Sequence, residues 1–166
     1  TKDLGVVRAT ARGVRMMKSK NRMSLVEGTR LQVSLVKGKE LWRLTNVVFL
    51  ESYYERLKIE EKVKIAWSVH SLLRKLVPHD VLPSHLFEIL LGLWGTLIKE
   101  PSELAKAAEC IALLNILHEL GYLGEDSRWM AFMGLDEPSE EQLRLMQEQT
   151  GEAVKTINES LRETHL

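Results

Sequence analysis

The chain has 166 residues, of which 45% are hydrophobic and 28% are charged, and we expect a globular protein with one core or two small ones. No apolar run is long enough to cross a bilayer, and the basic first twenty residues do not have the pattern of a signal peptide. The single cysteine, Cys110, excludes an internal disulfide and a metal site made of cysteines alone, and it fits a cytoplasmic location.

The net charge of zero conceals a division along the chain. Residues 1–50 contain 11 Lys and Arg against 3 acids, a net charge of +8, and the remainder contains 12 against 20, a net charge of −8. A basic half beside an acidic half suggests that the first half has a polyanionic partner. The alternative is a basic surface that only interacts with solvent.

The first 50 residues are predicted to form β structure. Residues 4–11 make a short β-rich segment, and residues 31–35 alternate apolar with polar side chains. Residues 37–40, which include a glycine, predict a hairpin turn, and residues 41–49 return as a strand rich in Trp, Thr, Val and Phe. Residues 12–28 are too polar for a core element and too long for a tight turn, and long loops in small domains are usually functional or mobile.

The apolar pattern then changes to the three- and four-residue spacing of helices. This spacing runs over residues 59–76, where Pro78 ends the first helix. Ser84 is predicted to cap a second helix that continues to Ile98. A third helix is predicted to begin at Pro101-Ser102 and to stop near Gly121.

One further helix is predicted after an irregular stretch over residues 122–138. Ser139 and Gln142 have the spacing of a capping box, and a thin apolar stripe continues from Leu143 to Leu161. Helices joined by short links form an antiparallel bundle.

We therefore predict an α+β protein with two domains. Residues 1–52 form a partial OB-fold β-barrel for DNA binding, and residues 53–166 form an α-helical bundle. Three strands cannot close a barrel, so we expect the first strands to precede Thr1 in a longer protein.

No sequence pattern for catalysis stands out. The chain has neither a phosphate-binding glycine loop nor a nucleophile elbow, so we expect a protein that is not an enzyme and has no cofactor. His79 and His85 flank a turn, where solvated histidines are favoured over a zinc site. Cys110 is interpreted as a small buried hydrophobe.

The best candidate site is a basic loop without acids. This loop lies within residues 12–28. Its cations would neutralise phosphates, and its small residues would let a phosphate backbone come close to the main chain. Cations on the hairpin and on the strands would enlarge the same binding surface. Because no side chains are set out to read base edges, we expect weak sequence specificity. For Trp42, core packing is favoured over stacking on a base. The predicted DNA-binding residues are Arg8, Arg12, Arg15, Lys18, Lys20, Arg22, Lys37, Lys39 and Arg43.

Several short segments, in this order and spacing, resemble the bacterial RecO family over roughly residues 1–123. In the β half they are Ala11-Arg12-Gly13, Lys18-Ser19, Leu31-Gln32-Val33-Ser34-Leu35, Gly38 and Leu41-Trp42-Arg43-Leu44-Thr45. In the helical half they are Leu72-Leu73-Arg74, Leu86-Phe87-Glu88 and Leu117-His118-Glu119-Leu120-Gly121-Tyr122.

The resemblance implies a recombination mediator that binds single- and double-stranded DNA and anneals strands, in the cytoplasm and associated with the nucleoid. It also implies that the protein acts on DNA coated by single-strand binding protein, where it helps RecA to load, and that RecR is a partner. It also implies that the acidic C-terminal tail of single-strand binding protein docks on the helical domain, where Arg74 and Lys75 are candidates. Many relatives carry a four-cysteine zinc module after the Leu-Gly-Tyr helix, but residues 123–138 lack cysteine, so we expect no zinc.

Two other functions stay open. In one, the helical bundle is a protein-interaction adaptor and the basic part is only solvating. In the other, the β part is an RNA-binding OB module. Contacts to the phosphate backbone and to the faces of the bases do not by themselves exclude the 2′-hydroxyl group that distinguishes RNA from DNA.

Overall fold

The structure, a computed structural model, describes residues 1–2, 4, 6–11, 25–39, 41–77, 85–123 and 127–163. Within them a small three-stranded sheet precedes six helices, so the α+β class is confirmed, and these strands form an open sheet. The elements are β1 (Ala9–Thr10), β2 (Thr29–Lys37), β3 (Trp42–Ser52), α1 (Tyr53–Arg56), α2 (Glu60–Leu76), α3 (Leu86–Lys99), α4 (Ala105–Glu119), α5 (Glu140–Glu148) and α6 (Thr150–Glu163).

The chain divides into two compact units. One, the sheet unit, is Val7–Lys58, and the other, the helical unit, combines Thr1–Val6 with Ile59–Leu166. None of the helices in the described ranges is both long enough and apolar enough to cross a membrane.

The sheet has the order β1-β3-β2. The predicted hairpin is confirmed, since β2 and β3 pair antiparallel from Lys37 opposite Trp42, and the Gly38 N–H donates to the Leu41 carbonyl at 3.1 Å. β1 pairs parallel with only the first two residues of β3, so it is shorter than the strand predicted over residues 4–11.

Two bulges in β3 align its apolar residues with those of β2. The register shifts leave Thr45 and Leu50 without an opposite residue, so that Leu44, Val47 and Phe49 face Leu35, Val33 and Leu31. The alternation predicted for residues 31–35 is confirmed, because these three β2 side chains are half-buried and the residues between them are exposed.

The helical unit is built around α4. This helix packs against α2, α3, α5 and α6, and side chains on nearly all of its sides are buried, including Leu104 just before it and Leu114 and Leu117 within it. Its predicted end is confirmed. Gly121 adopts a φ of +74°, which glycine takes without a Cβ penalty, and the Tyr122 N–H returns to the Leu117 carbonyl at 2.8 Å.

The other predicted helix boundaries are largely confirmed. α2 ends at Leu76, directly before Val77, and the capping box is present, since Ser139 accepts from the Gln142 N–H and the Gln142 side chain accepts from the Ser139 N–H. α3 begins after His85, and the predicted cap Ser84 lies outside the described residues.

The last predicted helix is in fact two. Gln149, with a φ of −106° and a ψ of 7°, interrupts the helix between α5 and α6. The Thr150 hydroxyl donates to the carbonyls of Met146 and Gln147, which occupies acceptors at the end of α5.

Residues 129–134, which precede α5, pack closely against the bundle. Trp129 and Phe132 are each 1% exposed. Buried Asn115 on α4 donates to the Phe132 carbonyl at 2.7 Å and accepts from the Gly134 N–H at 2.7 Å, so a single side chain satisfies two backbone groups of this segment.

Candidate nucleic-acid interface

The predicted DNA-binding residues fall into two sets. The five cations of the basic loop, Arg12, Arg15, Lys18, Lys20 and Arg22, lie outside the described residues. The other four are described and exposed, namely Arg8, Lys37, Lys39 and Arg43. These four lie at the hairpin end of the sheet unit or directly before β1, where Arg8 precedes Ala9.

Lys37 and Trp42 lie side by side on one face of the sheet. They are opposite each other in the β2–β3 register, and the Lys37 ammonium nitrogen is 6.0 Å from the centre of the Trp42 ring, at the outer limit of a cation–π contact. Ala9 of β1 is the partner of Trp42 on its other side. Lys39 is in the turn beside them.

Arg43 lies on the opposite face. Adjacent residues of a strand point to opposite sides of a sheet, and the register pairs Arg43 with Val36 and Thr10. Lys37 and Arg43 are therefore on opposite faces of the described strands. The hairpin end presents a cation on each face.

These cations have no carboxylate partner among the described residues. The structure records no ion pair there for Lys37, Lys39 or Arg43, whereas most cations of the helical unit are paired. The Lys and Arg pairs among the described residues of that unit are Lys2–Glu88, Lys64–Glu60, Lys99–Glu100, Lys106–Glu109, Arg128–Glu152, Arg144–Glu103 and Arg144–Glu140.

The other end of the sheet is balanced in charge. Arg56 forms an ion pair with Glu51, and Arg30 is opposite Glu51 in the register. Burial raises the pKa of Tyr53, and the neighbouring Glu51 raises it further, while Arg30 opposes the shift. The basic character of the described sheet is therefore concentrated at the hairpin.

Trp42 is half-buried, although core packing was favoured for it. It shares a face with Leu44, but no residue of the described strands is fully buried. On the other face, sequence reasoning overlooked a row of exposed polar side chains, Gln32, Ser34 and Asn46, which leads toward Arg43. The alternation of residues 31–35 was the signal that could have identified it.

The candidate partner-binding residues, Arg74 and Lys75, are exposed in the last turn of α2. Neither forms an ion pair with another described residue. The turn carries two positive charges beside the buried Leu73 and Leu76.

The histidines and the cysteine that were considered for chemistry show no reactive arrangement among the described residues. The ring nitrogen Nε2 of His85 is 3.4 Å from the Asp136 carboxylate, and His79 lies outside the described residues. Nowhere in the described ranges do three potential metal ligands cluster. Cys110 is 1% exposed, and burial raises its pKa to about 11, so its thiol is protonated at neutral pH and is a poor nucleophile.

Comparison with known proteins assigns no family to this chain. No protein-family model matches it, and no curated protein matches it. The functional conclusion therefore depends on its own residues and their geometry.

Proposed function

We propose that the chain is a non-enzymatic DNA-binding protein of recombinational repair, a mediator similar to RecO. It binds DNA strands without marked sequence preference and brings complementary strands together. The runner-up functions, a helical adaptor and an RNA-binding module, are outcomes that the experiment below distinguishes.

One observation carries the proposal. The exposed cations at the hairpin end have no carboxylate partners among the described residues, while most cations of the helical unit do. A protein that binds phosphates needs cations that are not already neutralised, because the affinity comes largely from the release of counterions from the nucleic acid. The net charge of +8 over residues 1–50 points the same way.

The position of these cations on both faces supports an annealing function. Lys37 lies on one face of the hairpin and Arg43 on the other, so two strands can be contacted at once, one on each face. Neutralising both backbones lowers the repulsion that keeps two strands apart.

The finer parts of the proposal rest on the sequence resemblance. The sheet unit would be part of an OB-fold. The helical unit would receive the acidic tail of single-strand binding protein through Arg74 and Lys75, two exposed cations in the last turn of α2. RecR and RecA would be partners in the same process, in the cytoplasm at the nucleoid.

The test is fluorescence anisotropy of a labelled single-stranded DNA oligonucleotide at low and at physiological salt. We expect the affinity to fall steeply with salt. In the double variant Lys39→Glu, Arg43→Glu, the slope of log affinity against log salt should decrease by about 1 for each phosphate that the protein no longer neutralises. The matched control is Lys155→Glu, which reverses an exposed cation on α6 and should leave binding unchanged.

The other outcomes contradict the proposal. Equal affinity at the two salt concentrations would exclude the electrostatic mechanism. Failure to bind at low salt would favour the adaptor function. Tighter binding of a single-stranded RNA competitor than of the matching DNA would favour the RNA-binding module, since the 2′-hydroxyl is the group that separates the two.

A further inference from the structure

We infer that Trp42 and Lys37 form a stacking site for one unpaired nucleobase and its phosphate, and that this site makes the sheet unit select single strands over duplex. The inference rests on the proposed DNA-binding function and names its preferred substrate. It concerns one face of the hairpin end.

The first argument is the exposure of the ring. Trp42 lies in the central strand of the described sheet and is half-buried, as is Trp67, whereas Trp94 and Trp129 are 6% and 1% exposed. An indole ring has a large apolar face that can pack against another flat group. Part of the indole surface is available to a ligand.

The second argument is the arrangement of its neighbours. Lys37 approaches the ring from the β2 side, and its nitrogen is 6.0 Å from the ring centre. On the β1 side the neighbour is Ala9, whose methyl group covers little of an indole. The ring therefore has one side next to a cation and the other next to a small residue, which leaves room for a flat group.

The third argument is the charge around the ring. Lys37 lies beside Trp42, Lys39 is in the turn that precedes Trp42, and within the described ranges neither lysine has a carboxylate partner. A nucleotide combines a flat π surface with one negative charge a few bonds away. An aromatic ring beside unpaired ammonium groups is complementary to both parts, which is how single-strand binding surfaces recognise nucleic acid.

The selection for single strands follows from what a duplex conceals. In a duplex the faces of the bases are stacked on one another, so a protein ring can reach them only after unstacking, which costs a few kcal/mol. The lysines can still contact the phosphates of a duplex. Stacking on Trp42 therefore adds affinity for single strands alone.

The experiment compares anisotropy titrations of a labelled oligothymidine and of a labelled duplex of the same length at the same salt. We expect Trp42→Leu to weaken single-strand binding roughly 5- to 150-fold and to leave duplex binding within about twofold. Trp42→Phe retains a smaller ring, so it should lose less affinity for the single strand than Trp42→Leu.

The matched control is Phe49→Leu. Phe49 lies on the same face of β3 and is 52% exposed, but it is at the far end of the strand, near the Arg56–Glu51 ion pair. We expect this variant to bind both ligands as the wild type does. Far-UV circular dichroism of each variant checks that the sheet unit remains folded.

Intrinsic fluorescence supplies a second readout. In the Trp67→Phe background, Trp42 is the one tryptophan that is not buried, so oligothymidine should quench the emission and duplex should not. This measurement does not depend on how a substitution at Trp42 affects folding.

The outcomes separate this inference from the proposed function. If the wild type binds both ligands and Trp42→Leu weakens neither, or weakens both equally, the stacking site is wrong and DNA binding stands. Quenching by duplex equal to that by oligothymidine would also overturn the site. If the wild type binds neither ligand, the proposed function itself fails.

Discussion

Gly92 on α3 has a stringent steric requirement. A Cβ at this position would overlap the carbonyl oxygen of Asp136 and lie 2.5 Å from its carbonyl carbon. Since these are backbone atoms, they cannot rotate away, and the overpacking cost of Gly92→Ala should be about 3 kcal/mol, at the upper end of the usual range. Alanine has a higher helix propensity than glycine, and this difference offsets about 1 kcal/mol of the cost. The net destabilisation is therefore about 2 kcal/mol, or a melting temperature roughly 4–8 °C lower for a chain of this size.

Gly95, one turn later in the same helix, is the matched control. A Cβ there would meet only the side-chain oxygen of Glu137 at 3.6 Å, an ordinary contact. Gly95→Ala should therefore stabilise the protein by about 0.5–1 kcal/mol, since only the propensity changes. Both variants are measured by thermal unfolding followed by circular dichroism at 222 nm. If Gly92→Ala melts at or above the wild-type temperature, the close crossing of Asp136 over α3 is wrong.

Three further predictions concern the helical unit. Asn115→Ala leaves the Phe132 carbonyl without its partner, so urea unfolding should show a loss of about 2–4 kcal/mol, against less than about 0.5 kcal/mol for the exposed Asn158→Ala. Ser139→Ala removes the side-chain acceptor of the capping box and should cost about 1 kcal/mol by the same assay; an unchanged midpoint would argue against that cap. Burial holds the pKa of Cys110 at about 11, above the value of 9.0 for an unburied thiol, so the thiol's contribution to stability is complete below pH 9 and is lost as the pH rises to 11. Stability should fall by about 2 kcal/mol more in the wild type than in Cys110→Ala between pH 8 and pH 11, and an equal fall in the two proteins would refute this.

Much of the fold could be predicted because its signals are local. The alternation of residues 31–35 predicts the strand that became β2, and the glycine of residues 37–40 predicts the hairpin. Pro78 and Gly121 predict the ends of α2 and α4. Each signal acts within a few residues of the chain, so no knowledge of distant contacts was needed.

The position of the candidate site could be predicted only in part. The cations of the hairpin were identified from their charge, but their distribution over two faces depends on the register of β2 against β3. That register is set by the turn and by the bulges at Thr45 and Leu50, which a period-two pattern does not reveal.

The sequence by itself therefore determined the order and type of most elements and the segregation of charge, because helix and strand periodicity, caps and net charge are properties of short stretches of chain. Only the tertiary structure decided that the last helix is interrupted at Gln149 and that α3 needs a glycine at position 92. It alone paired Lys37 with Trp42 and placed Arg43 on the other face. The glycine at position 92 is needed because Asp136, which is distant in sequence, crosses α3 there, and the faces of Lys37 and Arg43 depend on strand register; neither feature leaves a periodic trace along the chain.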